Sequence, residues 1–173
     1  VHSQLSRQLN WNTLTPPNFP IGASSRELGM NKNRVGYMPH IGVMKEEISS
    51  ILDDVPPGIF IDSTYGYGSH FDTIIKHSQL TAIGFDRDLE AVDNSDPSHE
   101  VINLNFSMIS DYVNNNSLSP ISGILYDLGV SSHQIDTPSR GFSFSIDSNI
   151  DMRMNQKDEI TAEKVLNTFS YEN

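Results

Sequence analysis

The sequence has 173 residues, 36% of them hydrophobic, and a net charge of −11 at pH 7. Its length and composition suit one domain with a buried core and exclude a collagen-like or broadly disordered chain. The absence of cysteine excludes disulfides and thiolate zinc sites, and no apolar run reaches the roughly 20 residues of a membrane helix. Because the N-terminus also lacks a secretory signal pattern, we expect a cytoplasmic protein with no membrane partner.

Residues 1–36 differ in composition from the rest of the chain. They are rich in Asn, Ser, Pro and Leu without a steady period, and they contain the breaker run Pro-Pro-Asn-Phe-Pro at 16–20. We predict a flexible N-terminal extension here and the N-terminal part of the main domain over 37–173. Because the chain begins with Val, one hypothesis is that Met30 is the natural start, and a genuine flexible arm is the alternative.

A helix and a strand are the first predicted elements. Apolar residues from Met44 to Val55 fall on one helical stripe, which Pro56-Pro57-Gly58 ends. The short apolar run 59–61 follows and ends at Asp62, a pattern that is typical of a buried parallel strand.

Helices and strands then alternate along the chain. A second helical stripe begins at Phe71, and apolar runs at 82–85, 101–104 and 121–126 predict three more strands. This alternation implies a parallel sheet with right-handed crossovers. Four strands are fewer than a complete doubly wound sheet has, so we expect a fold that is truncated at the C-terminus.

The segment 131–158 is long, polar and poor in periodicity. A loop of that length inside a domain is usually functional or mobile, and a merely solvated loop is the alternative. After this segment, Thr161 is placed to cap a helix whose apolar residues are Val165, Leu166 and Phe169.

Three predicted strands end in an acidic residue, namely Asp62, Asp86 and Asp127. Open α/β sheets bind ligands at the carboxyl ends of their strands, so we expect these side chains to converge on one crevice. Each acid alone could instead cap the helix that follows it. The neighbouring Arg87 and Asp88 are interpreted as a surface ion pair.

The loop 62–70, Asp-Ser-Thr-Tyr-Gly-Tyr-Gly-Ser-His, restricts the class of ligand. Gly66 and Gly68 permit positive φ and a close approach of the backbone to a ligand. A dinucleotide fingerprint needs a third glycine where this chain has Phe71, so NAD and FAD are disfavoured. A nucleoside ligand without a pyrophosphate, such as S-adenosylmethionine, does not make that demand, and Asp86 can accept both hydroxyls of its ribose.

Several motifs together resemble one enzyme family. They are Pro39-His40, the loop 62–70, Asp86-Arg87-Asp88, Asp127-Leu128-Gly129-Val130-Ser131-Ser132 with Gln134 and Asp136, Arg140-Gly141-Phe142-Ser143-Phe144, Asp151-Met152-Arg153-Met154 and Thr161-Ala162-Glu163. Through them the stretch 37–167 resembles the bacterial and organellar small-subunit ribosomal RNA cytosine-N4 methyltransferases. The resemblance implies an α/β, Rossmann-like, S-adenosylmethionine-dependent methyltransferase fold with helices flanking a parallel sheet. It also implies transfer of the methyl group to a cytidine of small-subunit ribosomal RNA.

The resemblance also implies a set of methyl-donor contacts, with Asp86 on the ribose and Phe106 beside the adenine. The full set is Gly66, Gly68, Ser69, His70, Asp86, Phe106, Asp127 and Gln134. Two residues depart from the family pattern, since Ser69 stands where a Gly is usual and Tyr126 where a Leu or Val is usual. The family's helical insertion and last sheet strands do not occur in this sequence.

For the chemistry, we hypothesise that Asp127 accepts a hydrogen bond from the cytosine amine and aligns it with the methyl group. The polar stretch 133–153, with Arg140 and Arg153, is a candidate floor for the RNA base. No metal site is expected, because the six histidines lack metal-ligand spacing. Small-subunit ribosomal RNA is the expected partner, and a homodimer is left open.

Two other functions stay open at this stage. One is a nucleoside-cofactor enzyme that acts on a small molecule, which the family motifs disfavour. The other is a non-catalytic remnant that binds S-adenosylmethionine or a ribosomal partner without turnover. The net negative charge argues against RNA as a binding partner. Contacts to phosphate normally come from clustered Lys and Arg, and the chain has only 11 such residues.

Overall fold

The computed structural model describes residues 42–170, which form an α/β fold. The elements in chain order are α1 (Lys45–Asp53), β1 (Gly58–Asp62), α2 (Phe71–Ile74), β2 (Leu80–Asp86), α3 (Leu89–Asp93), β3 (Val101–Asn103), α4 (Ile109–Asn115), β4 (Ile121–Leu125), α5 (Ser132–Asp136) and α6 (Ala162–Thr168). Short 3-10 turns at Phe106–Met108 and Pro138–Arg140 precede α4 and follow α5. The predicted extension 1–36 and the Met30 hypothesis lie outside the described residues.

The four strands form one parallel sheet in the order β3-β2-β1-β4. In its centre Ile61 of β1 pairs with Ile83 of β2 on one side and with Ile124 of β4 on the other. The chain runs outward from β1 to β3 and then returns to place β4 on the opposite side of β1. The strand order therefore reverses between β1 and β4, which is where open α/β sheets form their ligand crevice.

The core lies on both faces of the sheet. On one face Leu52 of α1 and Ile74 of α2 pack with Phe60 of β1. On the other face Ile61 packs with residues that include Ile109 of α4. Successive side chains of a strand point to opposite faces, so β1 must be apolar at consecutive positions to be covered on both. This explains why 59–61 is a continuous apolar run.

The sequence correctly predicted all four strands, the parallel sheet and the helices now called α1, α2 and α6. Thr161 caps α6 as expected, since its hydroxyl accepts the Lys164 N–H at 3.1 Å. The sequence missed α3, α4 and α5, which have only 5, 7 and 5 residues. One or two turns are too short to show a helical period in the sequence, so their capping and packing alone define them.

None of the helices among residues 42–170 is long and apolar enough to span a membrane.

Candidate functional site

A cavity of about 440 Å³ opens at the carboxyl ends of β1, β2 and β4. This volume lies within the range of pockets that bind small organic ligands. Every predicted donor contact except Gly68 lines it, which brings together Gly66, Ser69, His70, Asp86, Phe106, Asp127 and Gln134. The cavity therefore collects residues that are as much as 68 positions apart in the sequence, from positions at or after the ends of the four strands and from α5.

The two glycines of the loop after β1 have different tasks. Gly66 has a φ of +55° and donates its N–H to Asp86 Oδ2 at 2.7 Å. Gly68 has a φ of +81°, and a Cβ there would lie 2.8 Å from Tyr65 Oη. Gly68 thus permits close packing against the Tyr65 ring. It does not line the cavity, and its expected donor contact stays a prediction.

Asp86 is held in place by two main-chain donors. One carboxylate oxygen accepts from Gly66, and the other accepts the Asp88 N–H at 2.8 Å. Burial raises the pKa of the Asp86 carboxyl, and these two hydrogen bonds oppose the rise. Each carboxylate oxygen has a second lone pair, so a fixed Asp86 can still accept from two adjacent hydroxyls of a ligand.

The loop after β4 is tied to the loop after β1. Asp127 donates its main-chain N–H to Thr64 Oγ1 at 2.8 Å, and the Ser63 N–H donates to the Leu125 carbonyl at 3.0 Å. The Asp127 side chain is 42% exposed, and its Oδ2 lies 3.6 Å from His70 Nδ1. Asp127 therefore stands at the mouth of the cavity with a carboxylate that an incoming amine can reach. Thr64 was not predicted as a site residue, because a hydroxyl in a loop carries no local signal of such a partner.

Asp62 differs from the other two strand-end acids. It is fully buried, and although its Oδ1 accepts the Thr64 N–H, its Oδ2 has no partner within the described part of the chain. Burial raises the pKa of Asp62 to about 6, with smaller upward contributions from Asp86 and Asp127. The three acids are thus close enough to interact, as expected, but only Asp86 and Asp127 line the cavity.

Ser69 and His70 hold the segment before α1 as one wall of the cavity. The Ser69 hydroxyl accepts the Gly42 N–H at 2.7 Å, and His70 Nε2 donates to the Val43 carbonyl at 2.9 Å. Ser69 has no positive φ, so a serine fits at this position without backbone strain. The sequence did not reveal this wall, because the contacts join residues that are 27 positions apart.

Phe106 lies 40% exposed at the cavity, where an aromatic ligand could stack on it. Its ring packs edge-to-face against Tyr126, with 5.7 Å between the ring centroids. Tyr126, one of the departures from the family pattern, therefore supports a residue of the cavity wall. Such an aromatic pair contributes about 0.5–1.5 kcal/mol beyond the area that it buries.

Gln134 reaches the cavity from the start of α5. Its main chain and side chain form a reciprocal capping box with Ser131, and its Nε2 donates to Asp88 Oδ2 at 2.8 Å. Asp88 and Met154 also line the cavity, although neither was predicted as a site residue. The predicted surface pair of Arg87 and Asp88 is wrong, since Asp88 is only 6% exposed and Arg87 pairs with Asp158 at 2.9 Å.

The two arginines that were expected to form a floor for the RNA base do not line the cavity. Arg140 is 1% exposed and donates to Asp88, Glu90 and two main-chain carbonyls. Arg153 pairs with Asp151 through two hydrogen bonds, at 2.9 and 2.7 Å, which lowers the pKa of that acid. The buried Arg140 guanidinium needs protein partners, and the partly exposed Arg153 is engaged by Asp151, so the structure gives no support to a substrate contact by either arginine.

Among residues 42–170, no group of three or more His, Asp or Glu side chains is arranged to hold a metal ion.

Comparison with known proteins matches residues 37–173 to the model of the MraW methylase family. The chain is 41% identical over 138 residues to the ribosomal RNA small subunit methyltransferase H of Cytophaga hutchinsonii, covering 77% of this chain and 46% of that protein. The proteins of the same name from Karelsulcia muelleri and Acetivibrio thermocellus are 38% and 39% identical, over 76% and 77% of this chain and 46% of each relative. The chain thus spans about half the length of the curated relatives that it matches.

The family model covers residues 37–173, which include the whole sheet and every residue that lines the cavity. Methylases of this family use S-adenosylmethionine as their methyl donor. The parallel sheet, the flanking helices and the cavity at the strand ends agree with the Rossmann-like fold of such enzymes. This chain belongs to the MraW methylase family.

Proposed function

We propose that this protein binds S-adenosylmethionine in the cavity at the strand ends and transfers its methyl group to the N4 amine of a cytidine in small-subunit ribosomal RNA. The observation that carries the proposal is the convergence of Gly66, Asp86, Phe106, Asp127 and Gln134 on one cavity. These residues lie at or after the ends of the four strands and in α5, and the family resemblance implies a donor contact for each of them.

The proposed donor site assigns each end of the ligand to different groups. Asp86, fixed by two main-chain N–H groups, accepts the two ribose hydroxyls. Phe106 packs against the adenine from its exposed face. The methionine end lies by the loop after β1 and by Asp127, where the carboxylates also favour the positively charged sulfonium.

Asp127 is the proposed catalytic residue. The lone pair of the exocyclic cytosine amine is delocalised into the ring, so the amine is a weak nucleophile. A carboxylate that accepts one of its N–H bonds increases the electron density on nitrogen and aligns it with the methyl carbon. The N–C bond forms as the C–S bond breaks, leaving S-adenosylhomocysteine and N4-methylcytidine, and the displaced proton leaves through the exposed Asp127 carboxylate.

The RNA partner must present an unstacked cytidine, because the amine of a stacked base cannot reach the cavity. With 22 acidic and 11 basic residues, the chain has little charge for phosphate contacts. We therefore propose that the substrate is the small ribosomal subunit, where ribosomal proteins add contacts, and not free RNA. A cytoplasmic location and a homodimer remain predictions that fractionation and light scattering would test.

Incubation of the chain with methyl-labelled S-adenosylmethionine and small subunits that lack the modification tests this function. We expect label in N4-methylcytidine after nuclease digestion, little label with free RNA, and none with Asp86→Ala. Asp127→Asn is expected to retain donor binding but to lose most of the turnover, and full turnover of this variant would refute the catalytic assignment. Donor binding by the wild type without any label would instead support a role in binding alone.

A further inference from the structure

We propose that Arg140 is a positioning residue that orients Gln134 and Met154 in the donor cavity through Asp88, and that it does not contact RNA. The inference deepens the proposed function and rests on the donor site described above. The sequence predicts a functional or mobile loop at 131–158, and this inference makes the segment the support of the cavity wall.

Arg140 is the largest side chain that is fully buried among the described residues. Its Nη1 donates to Glu90 Oε2 at 2.8 Å, and its Nη2 donates to Asp88 Oδ2 at 2.7 Å. The same Nη2 contacts the carbonyls of Arg153 at 3.1 Å and Met154 at 2.8 Å. One Nη1 hydrogen is unused and Nε has no partner among the described residues, but the side chain is only 1% exposed, so a substrate cannot reach it. The guanidinium joins α3 to the carbonyls of residues 153 and 154.

Asp88 links Arg140 to Gln134. A single oxygen, Oδ2, accepts from Arg140 Nη2 at 2.7 Å and from Gln134 Nε2 at 2.8 Å, while Oδ1 accepts the Glu90 N–H that begins α3. A buried carboxylate without a cation beside it is strongly unfavourable, so the charge of Arg140 is what stabilises Asp88 as an acceptor for Gln134.

The carboxamide of Gln134 is thereby held in one orientation. Its Oε1 accepts the Ser131 N–H at 3.0 Å, and one Nε2 hydrogen goes to Asp88. Among the described residues, the only further partner of Nε2 is the Met154 sulfur at 3.9 Å, a weak acceptor. Both Gln134 and Met154 line the cavity, so the second N–H is available to a stronger acceptor on a ligand. A donor in this position selects a ligand with a hydrogen-bond acceptor, such as a ring nitrogen of a nucleobase.

Met154 depends on Arg140 as well. Its carbonyl receives the 2.8 Å hydrogen bond from Nη2, and its side chain lies at the cavity beside Gln134. One guanidinium therefore fixes two cavity residues that come from different parts of the segment. Arg153 serves as the natural control, because it is in the same segment but bonds to Asp151 and to the carbonyls of Gln156 and Asp158.

The first test needs no ligand. In ¹⁵N-labelled full chain, we expect the Gln134 side-chain NH₂ to give two separate resonances that exchange slowly with water. Arg140→Met should speed their exchange at least about tenfold, the effect of losing the order of 1–1.5 kcal/mol of hydrogen bonding. Arg140→Lys should restore part of the protection, and Arg153→Met should leave the Gln134 resonances in place.

Asp88→Asn provides a second variant in case Arg140→Met does not fold, which its thermal transition will show. An amide at position 88 keeps the shape but removes the charge that Arg140 and Gln134 share, so Gln134 should again exchange faster. Unchanged protection of Gln134 in the folded Arg140→Met or Asp88→Asn variant would overturn the proposal.

A titration with S-adenosylmethionine then tests the link to the donor. Arg140→Met should weaken binding about tenfold in the otherwise unchanged chain but no more than about twofold in a Gln134→Ala background, because the effect passes through Gln134. Equal losses in both backgrounds would show that the effect of Arg140 does not pass through Gln134 and would refute its role in positioning that residue. If the wild type binds no donor, the proposed function fails, while the ligand-free exchange still decides the role of Arg140.

Discussion

The loops after β1, β2 and β4 and the segment 131–158 build the same cavity in different ways. The loops are held by main-chain N–H groups that donate to side chains at the strand ends, such as those of Gly66 and Asp88 to Asp86. The segment takes its shape from Arg140, which reaches back more than fifty residues to Asp88. The first kind of contact is made by glycines and acids that follow strands and can be recognised in the sequence, whereas the second depends on a buried partner that only the fold supplies.

The largest effect should separate the two arginines of the segment. Arg140→Met leaves Asp88 buried without its cation, which costs about 3–5 kcal/mol of unfolding free energy. Arg153→Met removes a local pair nearer the surface, so its loss should be much smaller. Denaturant unfolding of both variants measures the difference in unfolding free energy. Similar losses would mean that the long-range pair of Arg140 contributes no more to stability than the local pair of Arg153.

A test of the strand-end loops comes next. Asp86→Ala removes the acceptor for both ribose hydroxyls, and two charge-assisted hydrogen bonds correspond to a loss of donor affinity on the order of a hundredfold or more. Asp93→Ala, which removes an exposed acid from α3, is the matched control and should leave affinity unchanged. Calorimetry with S-adenosylmethionine measures both, and a comparable loss in the control would mean that net charge, not the Asp86 geometry, governs binding.

Asp62 should make stability depend on pH in a way that an exposed acid does not. Its pKa is about 6 in the folded chain against 3.8 ordinarily, so the folded state holds the proton more tightly than the unfolded state. The stabilising contribution is complete below about pH 4 and is lost as pH rises through 6, by about 3 kcal/mol at most. Asp62→Asn should remove this loss of stability. The gain at pH 7 should be limited to about 1–2 kcal/mol, because the amide keeps the hydrogen bond from the Thr64 N–H but leaves its own N–H groups unpaired.

Asp147→Asn, an exposed acid in the segment 131–158, is the control for this pH series. Urea unfolding at pH 4 to 8 should show the wild-type slope in that variant and a flatter profile in Asp62→Asn. If the unfolding free energy of Asp62→Asn changes with pH as steeply as that of the wild type, the raised pKa of Asp62 is contradicted.

The smallest expected effect concerns the wall at Gly42 and Val43. Ser69→Ala removes one hydrogen bond, worth about 1 kcal/mol, so exchange of the Gly42 amide should rise about fivefold. Ser69→Gly, the usual residue in the family, should act in the same direction. Exchange of the Ile61 amide in the centre of β1 should not change in either variant. Equal acceleration at Ile61 would show loosening of the whole domain instead of the wall.

The sequence alone determined the sheet and the edge where the cavity lies. Continuous apolar runs, glycines and acids after strands are local signals, so the four strands and the roles of Asp86 and the Gly66 loop could be inferred from neighbouring residues. Family motifs added Phe106, Asp127 and Gln134, whose approach to one cavity no local pattern indicates. The short helices α3, α4 and α5 were not predicted, because one or two turns carry no detectable helical period of apolar residues.

Only the tertiary structure decided which charges are buried and what they hold. Asp88 was taken for a surface residue and Arg140 for a substrate contact, yet each is the other's partner inside the protein. The wall at Gly42 and the support of Phe106 by Tyr126 likewise depend on contacts across the fold. A charged residue has the same appearance in a sequence whether it faces water or a buried counter-ion, because the free energy of burial depends on partners that are distant in the chain.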